Sequence, residues 1–375
     1  MTSFSSQTLS ESLAFLEARS ILLEPCSFSD LNGWTEEEAE EAFLAFVVAC
    51  MIQCRSQWRV LCPGRPFLEP LSRLQKDIAA LFPPDLLEGE SWHDTIKRYG
   101  MFCKARVFFE TYFRPYRIAH TLGSSKLITA YFEPEYIGRS IPCGNFTQPL
   151  LGLPRGWPKN HVLPSRRDIQ AGALKPYSEV LAYLNPVDAY MAHVQGSARI
   201  WVADQESFLR LIYAGKNGHP YQSLARIVME TSSPSQPFMA APELISWAHA
   251  HPEAAAWAMD QNPSYVFFQT IEDFKADHSH SLGPIGGAGI PLIPGRSCAV
   301  DSSLWPYGLP FWVQPSEPLI GYDFPRLLFA HDTGSAICGP ERFDIFFGTG
   351  QEWGAKAGRI CHSGSSLVFL PRDGI

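Results

Sequence analysis

The hydrophobic pattern of this chain changes period at Arg114-Pro115. Ahead of that point apolar residues recur every three or four positions, as on one face of a helix; beyond it they come in short runs bounded by Gly, Pro, Asn and Ser, as in strands. In the helical part, Thr8 is placed to cap SLAFLEARSILL, with Glu11 completing a capping box. Ser29-Asp30 opens onto LNGWTEEEAEEAFLAFVVACMIQC, whose acidic residues crowd the early turns as a helix N-terminus prefers. PLSRLQKDIAALF carries Leu71, Leu74, Ile78 and Leu81 at helical spacing, and TIKRYGMFCKARVFFETYF continues the pattern to Arg114-Pro115. The apolar run AFLAFVVACMI at 42–52 is about half of what a membrane span needs and reads as a buried core helix.

Beyond Pro115, RIAHTLGSSKLITAYFEPEY reads as two strands about a Gly-Ser turn, followed by a proline-rich connection. The middle third alternates helices, in SRRDIQAGAL, NPVDAYMAHV, SLARIVMETS and APELISWAHAHPEAAAWAMDQ, with strands in ARIWV and FLRLIYA. The last third holds strand runs in CAVDSSLWP, LPFWV, RLLFAHD, DIFFG and SLVFLP, as expected of a small barrel. At 375 residues the chain is long enough for two domains. The simplest architecture is a strand-rich domain inserted between N-terminal helices and a C-terminal barrel.

Composition narrows the function classes. A formal charge of -8 without any Lys/Arg block disfavours a nucleic-acid partner. The nine Cys form no paired C-x-x-C units, and an odd count argues against a framework in which every Cys is bridged while leaving room for one or two disulfides. His278-Ser279-His280 behind Asp277 reads as a solvated loop, and the sequence has no G-x-S-x-G elbow, Walker A loop or H-E-x-x-H pair. The first twenty residues lack a basic region leading into an apolar run, so membrane association is expected only if a lipoprotein leader lies outside this stretch. Aromatic residues, at 13%, exceed what a core strictly needs and suit a sugar-binding groove.

Two regions carry candidate chemistry. Asp332 follows the apolar run RLLFA and Asp344 opens IFFG, so each sits at a strand edge or beside a glycine turn, with Gly334, Gly339 and Gly348 as close-approach or positive-φ positions. A partly apolar setting raises a carboxyl pKa, as a general acid needs, although alternation leaves only Phe346 on the face of Asp344. The structural alternative for Asp344, Asp332 and Asp301 is a turn or cap carboxylate accepting backbone N–H groups. The other region gathers YFEPEY at 131–136, LNPVDAYMAHVQGSAR at 184–199, YAGKNGHPYQS at 213–223 and NPSYVFF at 262–268, whose polar and ring side chains suit a hydroxyl-rich ligand as well as ordinary loops. Gln195 and Lys216 stand out there, each in a glycine-containing stretch.

The ordered motifs PSRRDIQAGAL, NPVDAYMAHVQGSARI, YAGKNGHPYQSLARIV, NPSYVFF, GPIGGAGIPLIPGRSCAVDSSLWPYG and HDTGSAICGPERFDIFFGTG resemble those of the membrane-bound lytic murein transglycosylase A family, over roughly residues 103–371. The resemblance implies a mainly β protein with α, in two domains across a deep groove. One, residues 1–120 and 276–375, is a double-psi β-barrel with the N-terminal helices; the other, residues 121–275, is an inserted, strand-rich, β-barrel-like domain. It places the catalytic acid on Asp344, with Asp332 and Asp301 supporting, and substrate contacts on Tyr131, Glu133, Gln195, Gly196, Ser197, Lys216, Asn217 and Tyr221. It further implies cleavage between N-acetylmuramic acid and N-acetylglucosamine of peptidoglycan with a 1,6-anhydro end, no metal or cofactor, a monomer, and a place in the periplasm or at the outer membrane.

Some positions depart from the family's pattern: Ala130 stands where Gly is common, and Ser335 and Cys338 where Gly and Lys are common. Losing that lysine removes a positive charge near the carboxylates. Two other readings stay open on sequence alone, a catalytically silent peptidoglycan-binding protein and a muramidase using Asp332 as second carboxylate.

Overall fold

The computed structural model describes residues 9–55, 68–81, 105–120, 126–158, 161–231, 241–271 and 283–372. The expected cap at Thr8, the Gly-Ser turn and the His278–His280 loop lie outside them. The protein is mainly β with α, and its chain divides into two compact units. The first comprises residues 1–130, 276–348 and 360–375, the second residues 131–275 and 349–359. Residues 126–130 thus belong with the first unit and the short segment 349–359 with the second.

The first unit is organised on a nine-stranded sheet whose spatial order is Ile21–Pro25, Phe113–His120, Gly364–Pro371, Pro310–Pro315, Arg326–Asp332, Ser297–Ala299, Arg342–Thr349, Leu127–Glu133 and Cys361–His362. Its centre is almost wholly apolar: in Arg326–Asp332 every residue but the last is buried. Helix Ala39–Arg55 supplies the run Ala42–Met51 to the core, as the sequence indicates. Phe46 of this helix lies 5.9 Å from Phe329 of the sheet, and Trp34, ahead of the helix, 5.5 Å from Trp312.

Three local expectations change. The segment Ile21–Pro25 is a strand paired antiparallel with Phe113–His120, so the first helix stops at Glu17; sheet pairing outweighs the helical pattern of SILL. Ser27, not Ser29, is the cap, and it opens a short 3-10 turn closed by the carboxylate of Asp30. The long helix starts only at Ala39, with Glu40 and Glu41 in its first turn. Glu37 pairs with the buried Arg296, while Glu38 and Glu41 each lie 2.7 Å from Arg326. That cluster pins the helix to the sheet, and burial holds the Glu37 carboxyl above its usual range despite the Arg296 charge.

The second unit has a four-stranded sheet, Glu135–Gly138, Ser197–Val202, Ser207–Lys216 and Val266–Thr270, beside the pair Gln148–Leu151 and Val180–Leu184. Helix Pro186–Gln195 starts at an Asn185 cap and ends at Gly196, whose φ of 77° only glycine adopts readily. Its inner face packs Ala189 and Ala192 against Ile200, Leu211 and Phe268. Helices Leu224–Thr231, Ala241–Ala250 and Pro252–Asp260 form a second apolar cluster with it around Tyr190 and Met191. Helix Gln351–Ala357, which the sequence does not announce, completes the unit. Among the described residues no helix is long and apolar enough to cross a membrane.

Candidate active site

Three adjacent strands bring two of the three aspartates together. In the short central strand Ala299 is paired with Asp332 on one side, in parallel register, and with Asp344 on the other, in antiparallel register. Residues in register project from the same face of a sheet, so both carboxylates flank the methyl of Ala299. An irregularity between Cys298 and Ala299 brings Asp332, and not His331, into this row. Two strand spacings separate the two backbones by roughly 10 Å.

Asp344 keeps part of its surface accessible, between the buried Phe343 and Ile345. Burial pushes its carboxyl above the ordinary aspartate range, opposed by the charge of Arg342 and by a hydrogen bond from Thr129 Oγ1 to its Oδ1. Thr129 is the residue that sequence reasoning missed. It lies 215 positions from Asp344, and nothing in LITAYFEP distinguishes it from a strand-filling threonine. The buried Cys298 thiol is pushed up by burial and by both carboxylates, in keeping with their closeness.

Asp332 has a fixed setting. Its Oδ1 accepts from the backbone N–H of Gly287 at 2.8 Å and of Thr333 at 2.9 Å. A Cβ on Gly287 would fall 2.6 Å from the Tyr307 hydroxyl, so a larger residue there would have to displace that side chain. Asp301 has the role of a turn carboxylate. Its Oδ1 accepts from the N–H and hydroxyl of Ser303, and its Oδ2 from the N–H of Gly339, a residue at φ 109°. Asp301 therefore anchors the loop carrying Ser335 and Cys338, both exposed, where the Cys338 thiol donates to the Ser335 carbonyl at 3.6 Å.

The substrate candidates of the second unit differ in what their polar groups already do. Glu133 is fully buried, accepts two 2.8 Å hydrogen bonds from Arg210, and accepts a third from the Thr349 hydroxyl. Asn217, 3% exposed, donates to the carbonyls of Pro164 and Pro263 and accepts from the N–H of Tyr265 and His219. All four of its hydrogen-bonding positions are taken. The polar groups of both side chains, read above as ligand contacts, are thus engaged by the chain itself. Ser197 is buried as well, and Gly196 serves as the helix cap. Gln195 and Tyr131 are partly exposed, Gln195 accepting from the N–H of Phe132 at 3.3 Å. Lys216 and Tyr221 are exposed at either end of one loop. Among the described residues no group of three or more His, Cys, Asp or Glu side chains is arranged to hold a metal ion.

Fold and site together define a two-unit, mainly β protein that carries, on a sheet strand, an aspartate whose carboxyl is pushed above the ordinary aspartate range. Residues 127–269 match the family described as MltA specific insert domain, and residues 296–370 match the 3D domain. The chain belongs to the membrane-bound lytic murein transglycosylase A family. It is 35% identical over 256 residues to membrane-bound lytic murein transglycosylase A of Escherichia coli strain K12, an alignment spanning 66% of this chain and 66% of the relative, slightly under two thirds of each. Among solved structures it is similar to the membrane-bound lytic murein transglycosylase from Agrobacterium tumefaciens, with a TM-score of 0.74 and 27% identity, covering 93% of this chain and 98% of the other. It is also similar to E. coli MltA with bound chitohexaose, with a TM-score of 0.66 and 26% identity, covering 93% and 94% of the two chains.

Proposed function

We propose that this chain is a lytic transglycosylase that cleaves the β-1,4 bond between N-acetylmuramic acid and N-acetylglucosamine in peptidoglycan, with Asp344 as its acid and base. The observation that carries the reading is the Asp344 carboxyl, pushed above the ordinary aspartate range by burial and hydrogen-bonded by Thr129. Protonated, Asp344 gives its proton to the glycosidic oxygen as that bond to C1 breaks. The resulting carboxylate takes the proton of the muramic acid C6 hydroxyl, whose oxygen bonds to C1 and closes the 1,6-anhydro ring. Asp344 ends protonated, and no water is consumed.

The setting of Asp332 speaks against its acting as the nucleophile of a retaining hydrolase. Side chains projecting in parallel from strands two apart keep a spacing of roughly 10 Å, wider than the ~5–5.5 Å of a nucleophile and acid pair. Its Oδ1 is also committed to two backbone N–H groups. Asp332 and Asp301 are supports, and Tyr131, Gln195, Lys216 and Tyr221 are the side chains offered to the glycan. The names of the relatives, and the oligosaccharide held by one of them, support a glycan substrate. The enzyme works as a monomer in the periplasm or at the outer membrane. Release of soluble muropeptides from purified cell walls tests the reading: wild type releases them, and Asp344→Asn does not.

A further inference from the structure

Residues 163–166, 217–222 and 262–265 of the second unit are stitched together by two buried asparagines. Asn217 ties the first stretch to the third through the carbonyls of Pro164 and Pro263. Asn262, 1% exposed, accepts from the N–H of Gln222 at 3.1 Å and of Ser264 at 3.2 Å, and donates to the Tyr190 hydroxyl at 3.1 Å. Arg166, 2% exposed, braces the same turn by donating to the carbonyls of Asn262 at 3.2 Å and Ser264 at 2.6 Å. Asn262 thus fixes the backbone immediately after Tyr221, and Asn217 the backbone immediately after Lys216. The two exposed side chains therefore leave a loop whose conformation is set from the core, which lowers the entropy lost when they bind.

We propose that Asn262 is a positioning residue for glycan binding, acting on Tyr221 through the Gln222 backbone without touching the glycan. The inference rests on the reading of Tyr221 as a substrate contact. One side-chain oxygen accepts both N–H groups while the nitrogen donates to Tyr190, so a side chain that keeps that oxygen keeps the hold on the Gln222 backbone.

The test measures KM and kcat for release of anhydro-ended muropeptides, and Kd for chitohexaose, in wild type, Asn262→Ala, Asn262→Asp, Tyr221→Ala and the double variant Asn262→Ala/Tyr221→Ala. Asn262→Ala raises KM and Kd roughly tenfold and leaves kcat within about twofold. Asn262→Asp keeps both accepted N–H groups, can accept from the Tyr190 hydroxyl, and restores most of the affinity. In the double variant the two losses do not add. Unchanged KM and Kd in an alanine variant with native circular dichroism, or additive losses in the double variant, overturn the proposal. Should the alanine variant not fold, Asn262→Ser, which stays polar but is too short to reach the Gln222 N–H, takes its place with the same expected losses. A wild type that binds chitohexaose but releases no anhydro ends overturns the reaction assigned above and not this positioning role; one that binds no glycan overturns both.

Discussion

Asp332 and Asp344 stand on either side of Ala299 in a continuous row across three strands, and burial pushes the Asp344 carboxyl above the ordinary aspartate range. Asp332 holds Gly287 and Thr333 through Oδ1, a task that an asparagine oxygen also performs. Asp332→Asn is therefore expected to retain turnover within roughly tenfold of wild type and to give the same product ends. Asp332→Ala releases both N–H groups and loses more. Loss of all turnover in the asparagine variant would mean that its charge takes part in the reaction.

Thr129 has two measurable effects on Asp344. Its hydrogen bond favours the charged carboxylate, so Thr129→Val raises the carboxyl pKa further and moves the alkaline limb of the rate profile to higher pH. It also orients the acid, so kcat falls by roughly tenfold to a hundredfold. Thr129→Ser keeps the hydroxyl and recovers most of both. A pH–rate profile unchanged in the valine variant contradicts the contact.

Burial of Asp344 has a signature in stability. Because its folded pKa is raised, the folded protein holds this proton at a pH where the unfolded chain has released it. The stabilisation is complete below the ordinary aspartate range and is lost as pH rises through the raised value. Asp344→Asn cannot ionise and escapes that loss. Thermal melting across pH should give coincident wild-type and Asn curves at the acid end and a more stable Asn variant toward neutrality. Curves that stay parallel would contradict a raised pKa.

The Glu133–Arg210 pair tests Glu133 as a support rather than a ligand contact. Arg210→Ala leaves a fully buried carboxylate without its guanidinium and is expected to cost roughly 3–5 kcal/mol in urea unfolding. Glu133→Gln keeps acceptor capacity and is expected to alter glycan affinity little beyond what stability explains. A large rise in KM with stability unchanged would restore Glu133 to the binding surface.

The strand positions of the two aspartates were legible because local pattern determines them: RLLFAHD and FDIFFG are apolar runs with one carboxylate each, and both are strands. The partners were not legible. Thr129 meets Asp344 only through sheet pairing across 215 positions, and CAVDSSLWP yields a strand of just Ser297–Ala299, too short for periodicity to place between two others. Glu133 and Asn217 read as surface groups because polarity alone does not reveal burial; their partners Arg210 and Pro263 come from other strands and turns. The strand Ile21–Pro25 has the same cause, its pairing with Phe113–His120 being invisible locally.

The most direct measurement is mass spectrometry of the muropeptides that the protein releases from purified peptidoglycan, run beside Asp344→Asn. The account predicts 1,6-anhydromuramic ends from the wild type and none from the variant. Reducing ends from the wild type, or anhydro ends that persist in the variant, would contradict it.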